Sequence, residues 1–193
     1  MPNALITGSS ACASGVVAAL RRSGFEPLCA DSAMNLVQVC ASVPPKSLDC
    51  YVQFPDDHVT RTTAVAEASA MVNDRGMARY QAVTTVGPLL AEGATVVLVI
   101  GERASDQDRS PELVCAVNGL TRVLARAVRE DYDSIGVRVA LVEDGHSPTK
   151  IASIAARGDE DPAPGLASYI DVEPALGFAE WRVEVLSLLE VGQ

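Results

Sequence analysis

The sequence predicts an α/β protein built on a doubly wound parallel sheet, and three observations carry that reading. Short apolar runs alternate along the 193-residue chain with helical patterns of ten or more residues. The runs are apolar throughout instead of alternating with polar residues, which is the pattern of strands covered on both faces. Hydrophobic residues make up 48% of the chain but aromatics only 4%. The core must therefore come from Ala, Val and Leu, as where helices pack closely on a β-branched sheet.

Each element has its own signal. NALIT (3–7) is a strand ending at Thr7-Gly8, and VVAALRRSG is a helix stopped at Gly24. FEPLCAD (25–31) is a second strand ending in an acid; Asp31 or Ser32 is placed to cap the helix AMNLVQVCASV, which ends at Pro44-Pro45. LDCYVQF (48–54) is a third strand. An Ala-rich helix is expected over 56–72 and a longer one over 73–93, with Pro88 positioned to kink it. TVVLVIG (95–101) is a strand, 111–130 a helix and GVRVALVED (136–144) another strand. After Gly145 the pattern weakens: 157–165 reads as a loop and 174–191 as an amphipathic closing helix. The whole of 1–193 is expected to form one domain, large enough to bury its own core. In such sheets ligands sit beyond the carboxyl ends of the strands, so function should lie in the loops after Ile6, Leu28, Phe54, Ile100 and Val142.

A net charge of −10, with only Lys46 and Lys150 as lysines, opposes phosphate-backbone binding. Nucleic acid and membranes are therefore not expected as partners. The opening residues show no basic-then-apolar leader pattern, and no apolar run approaches the ~20 residues that span a bilayer, so a cytoplasmic location is expected. Cys12, Cys29, Cys40, Cys50 and Cys115 include no CxxC pair and read as buried free thiols.

Six segments in order resemble the short-chain dehydrogenase/reductase family, over roughly residues 3–145. ALITGSSACASGVVAAL is similar to its first strand and glycine loop, LDCYVQFPDD to its Asn-Asn-Ala-Gly strand, and VNDRGMARYQAV to its central helix with Asn73 and Gly76. TVVLVIG, NGLTRVLARAV and GVRVALVEDG match its serine strand, the helix after its Tyr-Lys pair and the strand before its Pro-Gly. The resemblance implies a Rossmann-like fold. It also implies a catalytic Tyr, Lys, Ser and Asn, and of these only Asn73 is present. Ser110 stands at the Tyr position, Val114 at the Lys position and Ile100 or Gly101 at the Ser position, and no Tyr-x-x-x-Lys occurs anywhere. A hydroxyl acid needs a pKa drawn towards the working pH, and Val114 offers Ser110 no cation at the Lys position to do this.

The family's nucleotide loop implies cofactor contacts at Thr7, Gly8, Cys12, Ser14 and Asp31. Cys12 and Ser14 replace its second and third glycines, with Gly15 following, so NAD(P) binding is expected to be impaired and no cofactor is expected. Asp31 is placed to hold a ribose 2′-hydroxyl, which would favour NAD, or simply to cap a helix. Between Asp31 and Leu48 the chain is too short for the family's helix, strand and helix, so a strand is shortened or missing there. Asn73 also reads as the N-cap of its helix. His58 lies in an acidic helix start, His146 and Ser147 in a solvated loop, and Phe178 and Trp181 in core or interface.

The pattern as a whole points to a non-catalytic member of the fold. The resemblance implies that such a subunit would assemble through helices 73–93 and 111–130 with a second copy or an active paralogue. The alternatives are a divergent reductase using Asp106, Asp108 or Glu112, and a nucleotide sensor without turnover.

Overall fold

The computed structural model describes residues 1–10, 12–56, 65–100, 111–143 and 147–157. They form a five-stranded sheet in the order β2-β1-β3-β4-β5, parallel throughout. The strands are β1 (Asn3–Ser9), β2 (Glu26–Ala30), β3 (Leu48–Asp56), β4 (Leu90–Ile100) and β5 (Arg138–Glu143). The helices are α1 (Ala13–Arg22), α2 (Ala33–Ser42), α3 (Val65–Val86), α4 (Pro111–Asp131) and α5 (Pro148–Arg157). The doubly wound α/β class expected from the sequence is the class observed.

Successive strand residues point to opposite faces, so one strand supplies two cores. Leu5, Tyr51, Val96 and Leu98 pack with Leu36, Val83, Val86, Leu124 and Val128 on the α2–α3–α4 side. Ala4, Ile6, Val52, Val97 and Val99 pack with Val16, Leu20, Ile151 and Ile154 on the α1–α5 side. Double-sided burial accounts for the apolar strand sequences.

The region after β2 is short, as anticipated: α2 alone leads from β2 to β3, and β2 forms an edge of the sheet. The Glu26 N–H donates inwards to the Pro2 carbonyl at 2.9 Å. Strand alternation then turns Pro27 and Cys29 outwards, and Pro27 has no N–H to offer. Proline at this position blunts the edge against pairing with another strand. Cys29 is exposed there and Cys12 half-buried, so the expectation that the thiols are buried holds for Cys40 and Cys50 only. The side chain of Cys115 lies outside the described residues.

Several boundaries differ from the sequence reading. The helix expected over 73–93 ends at Val86; residues 87–89 form a 3-10 turn carrying Pro88, and Leu90 already begins β4. Proline suits that first turn and cannot continue the helix. The early part of β4 pairs irregularly: Leu48 aligns with Leu90 and Cys50 with Thr95, with Gly93 at φ 71 taking up the extra residues. Only the regular half, from Thr95, has the uninterrupted apolar pattern that the sequence announces. Where order was expected to weaken, Ser147 and Pro148 open α5; the Ser147 hydroxyl accepts from the Lys150 N–H at 3.3 Å, and Pro148 occupies the first helical position. The helix start near 56, the loop at 157–165 and the closing helix at 174–191, with Phe178 and Trp181, lie outside the described residues.

Gly8 and Gly24 both have φ 86. A Cβ on Gly8 would stand 2.4 Å from the Phe54 carbonyl oxygen, whereas one on Gly24 would meet nothing. Gly24→Ala should therefore cost about 1 kcal/mol, from the left-handed backbone alone. Gly8→Ala should cost about 3 kcal/mol or more, because the backbone of β3 must also give way. Urea unfolding of both variants tests this, and equal losses would refute the part assigned to the Phe54 contact.

Candidate functional site

The switch point of the sheet lies between β1 and β3: the chain leaves β1 towards β2 on one side, then returns to build β3, β4 and β5 on the other. A crevice beyond the strand ends at such a point is where this architecture takes ligands. Its described wall consists of the β1–α1 loop, Asp31 after β2 and the end of β3. The segments 57–64, 101–110 and 144–146, which follow β3, β4 and β5, lie outside the described residues, and with them Asp57, His58, Ile100's neighbour Gly101, Ser110 and His146. The side chains of Val114 and Glu112 lie outside them too.

The expected cofactor residues are brought together, but several are committed to the protein itself. Thr7 is buried, and its Oγ1 shares a 2.9 Å hydrogen bond with the Tyr51 hydroxyl. Gly8 serves the close approach to β3. The loop turns tightly: the Ala13 N–H donates to the Ser10 carbonyl at 3.0 Å and the Cys12 N–H to the Ser10 hydroxyl at 3.1 Å. Cys12 is the N-cap residue of α1 without a side-chain capping bond, and it packs partly on the α1–α5 core. Ser14 is exposed in the first turn of α1. Gly15 has taken over a close-packing role, since a Cβ there would lie 2.7 Å from the Pro148 ring of α5.

Asp31 and Ser32 divide the two roles considered for the end of β2. Ser32 is the cap, its hydroxyl accepting from the Asn35 N–H at 3.2 Å. The Asp31 carboxylate is exposed and accepts from the Asn35 side-chain amide at 3.0 Å. It stands at the strand end, where a ribose contact would be made. Asn73 is exposed and lies well inside α3, which is continuous from Val65. Its reading as a helix N-cap is therefore wrong: the helix begins earlier, because the Ala-rich segment before Asn73 joins the same helix.

The polar cluster that the sequence reading missed lies beneath the crevice. Arg79 of α3 is 7% exposed, and its guanidinium reaches β3, β4 and α4. Nε donates to Gln53 Oε1 at 3.3 Å, Nη1 to Thr121 Oγ1 at 2.7 Å, and Nη2 to the carbonyls of Gln53 at 3.3 Å and Val99 at 2.5 Å. Gln53 returns a bond from Nε2 to the Arg79 carbonyl at 3.3 Å. A signal was present: Val72, Arg79, Val83 and Val86 fall on one helical stripe, and Arg79 is the charged member of it. Burial holds the Tyr51 phenol well above its usual range, against partial relief from Thr7 and the nearby Arg79 charge.

A parallel five-stranded sheet wrapped by helices on both faces defines a Rossmann-like α/β protein. More specifically, the chain has the fold of the short-chain dehydrogenase/reductases. A Serratia marcescens short-chain dehydrogenase/reductase mutant matches at a TM-score of 0.62 and 14% identity, covering 81% of this chain and 90% of that one. A short-chain dehydrogenase family protein from Francisella tularensis matches at 0.56 and 14%, covering 76% and 70%. BdcA, solved in complex with NADPH, matches at 0.55 and 14%, covering 80% and 85%. No protein-family model and no curated protein matches the sequence.

Among the described residues no group of His, Cys, Asp and Glu is arranged to hold a metal ion, and no helix is long and apolar enough to cross a membrane.

Burial also raises the Cys50 thiol, from 9.0 to about 12, with the Asp49 charge adding to it. The unfolded chain would lose that proton near 9.0 and the Tyr51 proton near 10.0, while the folded chain keeps both. Their contribution to stability is intact below pH 9 and is lost as pH rises from there towards the folded values. Urea unfolding free energy should fall from about pH 9 upwards, and Cys50→Ala should flatten the first part of that fall. A slope unchanged in the variant would disprove the assignment to Cys50.

Proposed function

We propose that this protein is a non-catalytic relative of the short-chain reductases whose function is assembly, through α3 and α4, with a second copy or with an active paralogous reductase. One observation carries the proposal: Met77 and Tyr80, large apolar side chains on neighbouring turns of α3, are 47% and 53% exposed beside α4. The two helices are held close, since a Cβ on Gly76 would lie 2.7 Å from Leu120 Cδ1. Residues Val117, Leu120, Val123 and Ala127 of α4 are only half-buried. An apolar surface on two packed helices is stabilised by burial against a partner. The absence of a Tyr-x-x-x-Lys pair in the sequence supports the loss of chemistry.

The partner reading favours a hetero-oligomer in which an active paralogue supplies the catalytic groups. Tyr80→Glu puts a charge in the proposed contact and should weaken assembly about 100-fold or more, with little effect on folding. Sedimentation velocity of the purified chain, and co-purification from the native source, report the two kinds of assembly. Unchanged association of the variant would rule this surface out, and recovery of a self-associated species alone would count against the paralogue.

A second reading is kept for the nucleotide, because Asp31 stands exposed at the end of β2 and one structural neighbour was solved with NADPH. Under it the protein binds NAD(P) without turnover. Calorimetric titration with NAD(H) and NADP(H) should show at most weak binding if assembly is the function. Tight binding without alcohol oxidation would favour the sensor, and turnover would sink both readings.

A further inference from the structure

We infer that Arg79 is a positioning residue for the α3–α4 surface, pinning both helices to the carboxyl edge of the sheet. The inference rests on the assembly reading and names the device that would shape its contact face. Arg79 lies between Met77 and Tyr80 in sequence but points the opposite way, into the core. Its guanidinium bonds to the side chain and carbonyl of Gln53, to the Val99 carbonyl and to the Thr121 hydroxyl, so one rigid planar group spans β3, β4 and α4 from α3. Thr121 donates its own proton to the Val117 carbonyl at 2.9 Å, which orients its oxygen to accept from Arg79. One residue away, Leu120 meets Gly76. Two contacts, Gly76 with Leu120 and Arg79 with Thr121, thus fix both the separation and the register of the helices.

A buried cation is a poor device for stability alone, since an apolar residue of similar volume often serves as well or better. What it offers is direction: forked donors accept one arrangement of carbonyls and hydroxyl, whereas an apolar contact lets helices slide. The geometry therefore points to orientation of the surface around Met77, Tyr80 and Leu120.

The full chain tests this through Arg79→Met, Arg79→Lys, Thr121→Val and the Arg79→Met/Thr121→Val pair. Self-association is measured by sedimentation velocity, well below each variant's unfolding temperature. Arg79→Met should weaken association about ten-fold while the chain stays folded, and Thr121→Val should act in the same direction. The double variant should be no worse than Arg79→Met alone, since both remove one linkage. Arg79→Lys should not restore association, because a single ammonium does not reproduce the fork. Native-like association of folded Arg79→Met overturns the inference; if that variant does not fold, Thr121→Val decides in its place.

Failure of the assembly reading shows separately, as a wild-type chain that neither self-associates when purified nor co-purifies with a paralogous reductase from its native source. Hydrogen exchange then decides for Arg79. Faster exchange confined to 116–128 in Thr121→Val or Arg79→Met upholds the pin, and unchanged or uniformly faster exchange overturns it.

Discussion

Burial of the central strands on both faces is the constraint from which the rest of the structure follows. Ala4, Leu5, Val52, Val96 and Val97 are each fully buried, so neither face of the sheet accepts an unpaired polar group. Helices must cover both faces, and polar chemistry is driven to the strand ends or into closed networks. Both outcomes are seen. Asp31 and Ser14 stand exposed where the chain leaves the sheet, whereas Thr7, Tyr51, Gln53, Arg79 and Thr121 satisfy one another beneath it.

That division bears on function. In the residues described, the Thr7 and Ser10 hydroxyls are tied up in internal hydrogen bonds, and the buried Arg79 guanidinium binds backbone carbonyls, an amide and a hydroxyl. The helices it joins present Met77 and Tyr80 outwards. The same network that absorbs polar groups near the strand ends thus also joins α3 to α4, the two helices through which we propose assembly.

Much of the architecture was legible because its signals are local. Apolar runs marked the strands, the shortness of the chain between Asp31 and Leu48 marked a reduced sheet edge, and Gly8 marked a close backbone approach. Boundaries were less legible where geometry is set by a neighbour. The irregular start of β4 depends on how Leu90 and Thr95 meet β3, and α3 runs through Asn73 because the Ala-rich segment before it continues the same helix. The start of α5 was readable from Ser147 followed by Pro148 but was hidden by the weak hydrophobic pattern around it. For the candidate site, the cofactor-loop positions were found, yet the commitment of Thr7 to Tyr51 was not, since it joins residues 44 apart in the chain.

The sequence by itself determined the parallel α/β class, the order of its strands and helices, and the absence of a Tyr-x-x-x-Lys pair, because periodicity and residue identity are properties of the chain. Only the tertiary structure decided that Ser32, not Asp31, caps α2, that Cys29 is exposed at a proline-blunted edge, and that Arg79 lies buried among β3, β4 and α4. Each of these depends on what stands opposite a side chain. A cation on an apolar stripe is readable as an anomaly in the sequence, but its partners come from strands and a helix that meet only when the sheet has formed.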